Sequence, residues 1–342
     1  MTRFSGTLVV ALTAMTLASS TQAADTINRR SDKRVSGEIT EITKEKVTVK
    51  NGIGETVEVP ANDIDSIEWD TEPNDLNLAR GSDERGDLQR AVELYTKSAA
   101  APESKGNVKA DIEFLIGRAI AQQALEGDAT KLDDAIKRLS GFTKANSDSF
   151  RFYDAIHMLG RAQLAKADFA EAEVSFQQLQ RAPWADYKMA GQNAAAQLAL
   201  KQGNLSAAQT GYEAVLSQNA ASPAEISRRN EALLGIAKVH LQQKNADEAL
   251  KSVGEALSKA DAEDSAVQAE AFVLKGECLK ALGRSKEALL AYLAVPVLFE
   301  REKVQHAQAL YNLAVLAPKL DDPELGLKSR EELLSLYPDS QW

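Results

Sequence analysis

"GECLKALGRSKEALLAY" spans residues 276–292, and its spacing decides how the rest of the chain is read. Gly276 stands seven residues before Gly283, Gly283 five before Ala288, and Ala288 four before Tyr292. The same gaps join Ala79, Gly86, Ala91 and Tyr95. They join Gly160, Ala167, Ala172 and Phe176, and again Ala196, Gly203, Ala208 and Tyr212. A looser copy runs Ala237, Lys244, Ala249, Val253. Two degraded copies pair Gly117 with Ala135 and Leu139, and Ala314 with Gly326. Seven units therefore recur at a mean step of about 39 residues. Self-similarity at such a period marks stacked supersecondary units.

Physical chemistry explains the pattern. Each unit reads as two antiparallel helices, with small residues such as Gly160 and Ala172 where the backbones come closest. A larger side chain there overpacks the contact at a cost of about 1–3 kcal/mol. Tyr95, Phe176, Tyr212 and Tyr292 are expected to fill the gap towards the next pair. Gly86, Gly203 and Gly283 sit where the first helix must end in a left-handed residue. Pro102, Pro183, Pro223 and Pro338 fall between expected helices or at their starts, while Pro296 and Pro318 predict a kink or early stop.

The composition agrees. Aromatics are only 6% and charged residues 26%, a mix that suits closely packed helices and argues against global disorder. The opening "MTRFSGTLVVALTAMTLASSTQA" (1–23) has one positive charge at Arg3, an apolar centre from Leu8 and small residues at Thr21 and Ala23. That is the layout of a cleaved secretory signal peptide, and its apolar run is too short to span a bilayer. The chain is thus expected to be periplasmic or secreted, with no stable membrane insertion after cleavage. Removing 1–23 takes Arg3 and no acid, so the net charge moves from −10 to −11. An acidic chain is a poor fit for nonspecific phosphate contacts, and no nucleic-acid partner is expected. Cys278 is the only cysteine, so no intrachain disulfide can form and packing must carry stability.

Residues 24–34 ("ADTINRRSDKR") read as a flexible lead-in. From Val35 to about residue 70 apolar and polar residues alternate, with Val47 and Val49, Val57 and Val59, then Ile64, Ile67 and Trp69. Asn51-Gly52 supplies a turn. Four short strands are expected in a small all-β module, weakly similar to SH3-like or Sm-like sheets, that leans on the helices beyond it. "DTEPND" (70–75) is the boundary, and a helical array fills 74–342.

At "MLGRAQLAKADFAEAEVSF" (158–176), "LALKQGNLSAAQTGY" (198–212), "GECLKALGRSKEALLAY" and the closing "LYPDS" (336–340) the chain resembles the tetratricopeptide repeat family. The resemblance covers about 74–342, although the step exceeds the roughly 34 residues of that family, which points to longer helices or turns. It implies a mainly α fold: a right-handed α-solenoid of about seven helical hairpins, with first helices lining a concave groove that holds a protein or peptide. Carried over by helical spacing, the groove residues are Asp111 and Arg118, His157 and Arg161, Asn193 and Gln197, then Lys238 and Lys280. The arrangement of Lys and Asn with which some relatives grip a C-terminal carboxylate is not recognisable.

Catalytic signals are thin. "NGIGET" lacks the third glycine and the strand-to-helix setting of a dinucleotide site. His157, His240 and His306 stand in different units without paired ligand spacing and read as helix-surface or groove residues, so no metal or other cofactor is expected. Cys278 reads as a small buried apolar residue. The acidic runs at 261–265 and 321–324 lack the calcium-loop order and read as helix N-caps. The expectation is a non-enzymatic scaffold that binds a protein in the cell envelope. The alternative is a structural subunit of a larger envelope assembly, working through the outer face or the β module.

Overall fold

A computed structural model describes residues 24–31, 33–338, 340 and 342. The expected signal peptide, residues 1–23, lies outside them. Among the described residues five antiparallel strands come first: β1 (Asp25–Arg29), β2 (Arg34–Ile42), β3 (Lys46–Lys50), β4 (Thr56–Pro60) and β5 (Ile64–Glu68). Their order in the sheet is β4-β3-β2-β1-β5. One expectation is corrected here. The stretch 24–34 is no flexible lead-in, because β1 pairs with both β2 and β5 and buries Ile27 completely. Its single apolar residue gave too weak an alternation to read as a strand, and two neighbouring strands supply its ladder instead. The module thus begins at Asp25 rather than Val35 and has five strands rather than four.

Two register shifts explain an irregular pattern in the sequence. Ile64 and Ile67 are three residues apart, yet both are fully buried, because the pairing with β1 slips between Asn28 and Arg29. A similar slip between Ile39 and Glu41 lets Ile39 and Ile42 face the core together. A bulge inserts one residue and restores the inward face.

Fourteen helices, again among the described residues, then form seven hairpins. They are α1 (Asn74–Glu84) with α2 (Leu88–Ala99), α3 (Gly106–Leu125) with α4 (Leu132–Ala145), and α5 (Phe152–Lys166) with α6 (Phe169–Leu179). Next come α7 (Ala185–Lys201) with α8 (Leu205–Leu216), and α9 (Pro223–Gln242) with α10 (Ala246–Lys259). The last are α11 (Ser265–Ala281) with α12 (Ser285–Leu298), and α13 (Lys303–Leu316) with α14 (Pro323–Leu336). The long step has two sources. Helices α3 and α9 each run 20 residues, and a 3-10 turn at Ala129–Lys131 lengthens the second hairpin.

The marker residues sit as their sizes require. A Cβ on Gly160 would lie 2.5 Å from Phe176 Cε1, and one on Gly276 would collide with the Tyr292 ring of its own hairpin. Tyr212 differs, since its ring lies over Gly235 of the next hairpin. The same rings also reach forward: Phe176 clusters with Ala194 and Leu198 of α7, and Tyr292 with Leu313 and Leu316 of α13. The acidic runs cap helices. Asp264 accepts from the Val267 N–H and Asp322 from the Leu325 N–H. Cys278 is fully buried, and burial first, then Glu277, pushes its thiol up to about 12. Pro296 lies two residues before α12 ends and Pro318 in the 3-10 turn that follows α13.

The β module shares its core with the first hairpins. Ile27, Val47, Val59, Ile67 and Trp69 belong to one buried cluster with Leu76, Ile112, Phe114 and Leu159. At the far end, Lys303 of α13 donates to the Gly86 carbonyl (2.9 Å) and to Glu126 Oε2 (3.0 Å). The seventh hairpin therefore touches the turns of the first two, and the solenoid comes round on itself. A cleft of about 580 Å³ marks this seam, bordered by Gln123, Glu126, Lys131, Lys303 and Tyr337.

Candidate functional site: the concave groove

First helices α5, α7, α9 and α11 bring side chains from several hairpins within electrostatic reach of one another. Arg161 of α5 couples to Arg228 and Glu231 of α9 and to Glu270 of α11. Groups two and three hairpins apart can meet this way only across the hollow side of the stack.

The eight residues assigned to the groove from spacing fare differently. Asp111 is a correction: it is 1% exposed and cannot meet a partner. Its Oδ2 accepts from the Trp69 indole N–H (3.2 Å) and its Oδ1 from Arg151 Nε (2.9 Å). Arg151 also donates to the Asp65 carbonyl (3.0 Å), and its guanidinium lies 4.6 Å from the centre of the Phe150 ring. This buried pair ties the β module to α3 and α5. Removing one member of such a pair costs about 3–5 kcal/mol, because the other charge is left uncompensated. Helical spacing placed Asp111 correctly on a first helix, but it could not reveal that the β module covers that helix's start.

Arg118 is half-buried and paired with Asp83 of α1, which also accepts from the Tyr95 hydroxyl (2.9 Å). It braces two hairpins. Asn193 is 7% exposed; its Nδ2 donates to the Arg228 carbonyl (2.8 Å) and to Glu231 Oε2 (3.3 Å). It joins α7 to α9, which corrects its reading as an exposed contact. Lys238 pairs with Glu270, and Lys280 donates to Asn312 Oδ1 (2.9 Å). His157 is half-buried, while Arg161 and Gln197 are exposed. Among the described residues Arg161 has neither an ion pair nor a hydrogen bond.

Sequence reasoning missed Asp154, Tyr187, Arg228, Glu231 and Glu270. Tyr187 donates to Asp154, which also faces Arg30 (3.4 Å) from the β1–β2 turn. Arg228 pairs with Glu231 (2.5 Å). The signal was available: Arg228 and Glu231 are three apart, about one turn of α9, and Glu231 lies seven residues before Lys238 on the same face. Electrostatics follow from burial. Burial would raise Asp154, but Arg30, Arg151 and the Tyr187 hydroxyl outweigh it and hold the carboxyl below its ordinary value. His157 is held down to about 3 by burial first, then by Arg228 and Arg161, with Asp154 opposing. It is neutral near pH 7.

His306 is a further correction. It is 3% exposed and shares a 2.7 Å hydrogen bond with the Tyr337 hydroxyl, so it packs the last hairpin rather than its surface. Among the described residues no three His, Cys, Asp or Glu side chains stand together as metal ligands. No described helix is long and apolar enough to cross a membrane.

No family model matches the chain, and no curated protein matches it. Solved structures do. A tetratricopeptide repeat protein from Parabacteroides merdae is 14% identical, with 77% of this chain and 92% of that one covered and a TM-score of 0.49. A chain of the APC/C hetero-tetramer Cut9-Hcn1 is 13% identical, covering 77% of this chain and 46% of its own, at a TM-score of 0.50. A Rap protein complexed with competence and sporulation factor is 15% identical over 78% of this chain and 76% of that one, also at 0.50. At such identities the likeness is one of fold. The fold is a tetratricopeptide-repeat-like solenoid behind a small five-stranded antiparallel sheet.

Proposed function

We propose that the chain is an exported, non-enzymatic scaffold whose concave groove binds a protein or peptide segment in the cell envelope. The observation that carries the reading is the electrostatic coupling of Arg161 on α5 to Arg228 and Glu231 on α9 and Glu270 on α11, which brings first helices of separate hairpins towards one surface. Such a surface offers charged and hydrogen-bonding groups along its length. The Rap protein of similar fold is complexed with a factor, and Cut9 and Hcn1 form a hetero-tetramer; both are consistent with a binding role. Export rests on residues 1–23 and their layout of one charge, an apolar run and a small-residue end.

The test fills the groove without touching the core. Gln197 is exposed on α7, so Gln197→Trp should narrow the groove and leave the melting temperature within about 1 °C, as for surface changes in general. Tagged wild type and variant are used to capture partners from envelope extract, and the eluates are compared by mass spectrometry. Loss of wild-type partners from the variant, with the chain itself beginning at Ala24, is the expected outcome. Identical captures from both proteins would remove the groove reading, and a chain retaining residues 1–23 would remove the cleaved leader.

A second reading, a subunit of an envelope assembly, has its own support. Leu290, Val297 and Leu298 of α12, and Leu327 and Leu334 of α14, are each more than half exposed on second helices. In the same captures, Leu290→Lys with Leu334→Lys would lose partners that Gln197→Trp retains. Deleting residues 24–70 does not separate the readings, because it would uncover the core that β5 and Trp69 share with α1 and α3.

A further inference from the structure

We propose that the seam between the first two hairpins and the last is a clasp: the solenoid passes between a closed ring and an open arc, and the Lys303 ammonium is the tie that holds it shut. Opening the seam widens the hollow that the first helices line. On the groove reading above, a segment that runs on past both ends of the hollow enters sideways only through an open seam. The clasp itself rests on the seam contacts alone.

The first support is how little crosses the seam. Neighbouring hairpins are joined by apolar clusters: Leu289 and Tyr292 of α12 pack with Leu313 and Leu316 of α13, and Val295 with Ala309. Among the described residues no such cluster joins the two ends. That of the last hairpin, Ala307, Leu310, Leu333 and Tyr337, takes in no residue of the first two, and theirs takes in none of the last. Leu336 borders the seam cleft yet is 54% exposed. The hydrophobic effect scales with apolar area removed from water, so it does little here to close the ring. Among the described residues the hydrogen bonds across the seam are the two from Lys303 Nζ, to the Gly86 carbonyl (2.9 Å) and to Glu126 Oε2 (3.0 Å). With the Lys303 side chain a third exposed, the pair is modest, strong enough to favour the ring and weak enough to release it.

The second support is charge. Of the charged residues bordering the cleft, Asp87, Glu126, Asp128 and Lys131 belong to the first two hairpins and Lys303 to the last. Lys131 is engaged on its own side, with Asp128 (3.7 Å). Burial, then Glu332, Glu126 and Glu300, push the Tyr337 hydroxyl up to about 12. Glu126 of the second hairpin thus stands near acids of the last turns, and like charges across a seam repel. His306, the basic ring against Tyr337, is lowered by burial and stays neutral near pH 7. Lys303 is the group that reaches over to offset the acids.

The test is double electron–electron resonance on the chain from Ala24, with nitroxides on Lys137→Cys in α4 and Ser335→Cys in α14. Both positions are exposed, and the native Cys278 is buried. The labelled parent is expected to give two distances, a shorter closed one and a longer open one. Lys303→Gln should cut the closed-to-open ratio about fivefold, as for loss of one partly shielded pair. Lys303→Arg should keep the ratio, and Lys303→Glu combined with Glu126→Lys should restore it, with helical circular dichroism that of the parent throughout. A distribution that Lys303→Gln leaves unchanged would overturn the clasp. Equal opening in Lys303→Gln and in the charge-swapped pair would overturn it as well, since the tie would then not be the ion pair.

Discussion

His157 shows how one side chain reports its setting. Its imidazole stays neutral down to about pH 3 because burial, Arg228 and Arg161 all disfavour the cation. In the unfolded chain the same ring takes a proton near pH 6.5. Between those values the unfolded state binds more protons, so stability falls as the pH is lowered. Asp154 acts in the same direction at lower pH: its depressed carboxyl contributes stability above about 3.8 that is lost as the folded group protonates. His306, also lowered by burial, adds to the histidine slope. Melting temperatures should therefore drop from pH 7 to pH 4.5, and His157→Gln should flatten that slope. If the two proteins showed parallel profiles, His157 would not be held neutral. Residue identity was legible in the chain, but this shift was not, since two of its causes lie on α5 and α9 and meet only after folding.

At the scale of the hairpin, the turn position of the repeat is the clearest device. Gly86, Gly203 and Gly283 have φ between 72° and 77°. The units that lack glycine there keep the geometry: Ala167 sits at φ 66° and Lys244 at φ 65°. A side chain in this region costs about 1–2 kcal/mol relative to the right-handed one. Lys244 is exposed, so its replacement removes little packing. Lys244→Gly should stabilise the chain by about 0.5–1 kcal/mol, less the backbone entropy that glycine adds to the unfolded state. Urea denaturation would read it as a higher midpoint at unchanged slope. A lower midpoint would mean that the Lys244 side chain contributes more than its strained backbone costs. The looser copy at Ala237–Val253 was thus a true unit whose weak match concealed an ordinary turn. The β1 strand was the opposite case, invisible because one buried Ile27 makes no pattern.

Over the whole molecule, the decisive feature is that the stack returns to its start. Lys303 bridges the Gly86 carbonyl and Glu126 with its side chain about two-thirds buried, across a seam that Tyr337 also borders. A partly shielded pair of this kind holds more firmly than a fully exposed one. Lys303→Glu places like charges at the seam and should part the ends. Small-angle scattering should then show a larger radius of gyration with helical circular dichroism unchanged. An unaltered radius would mean that the curvature is set by hairpin packing alone.

By itself the sequence determined the seven hairpins, their turns and the curled sheet, because those follow from local spacing: small residues at contacts, aromatics sixteen residues on, alternation in strands. It also placed Arg161 and Gln197 on first helices, where both are exposed. Only the tertiary structure decided that Asp111 and Asn193 are internal ties, that the sheet shares its core with the first hairpins, and that Lys303 of the last hairpin meets the turns of the first two. Each of those depends on which distant groups become neighbours. Charge balance and burial are sums over neighbours, and a repeat fixes its neighbours in space only once its curvature is set.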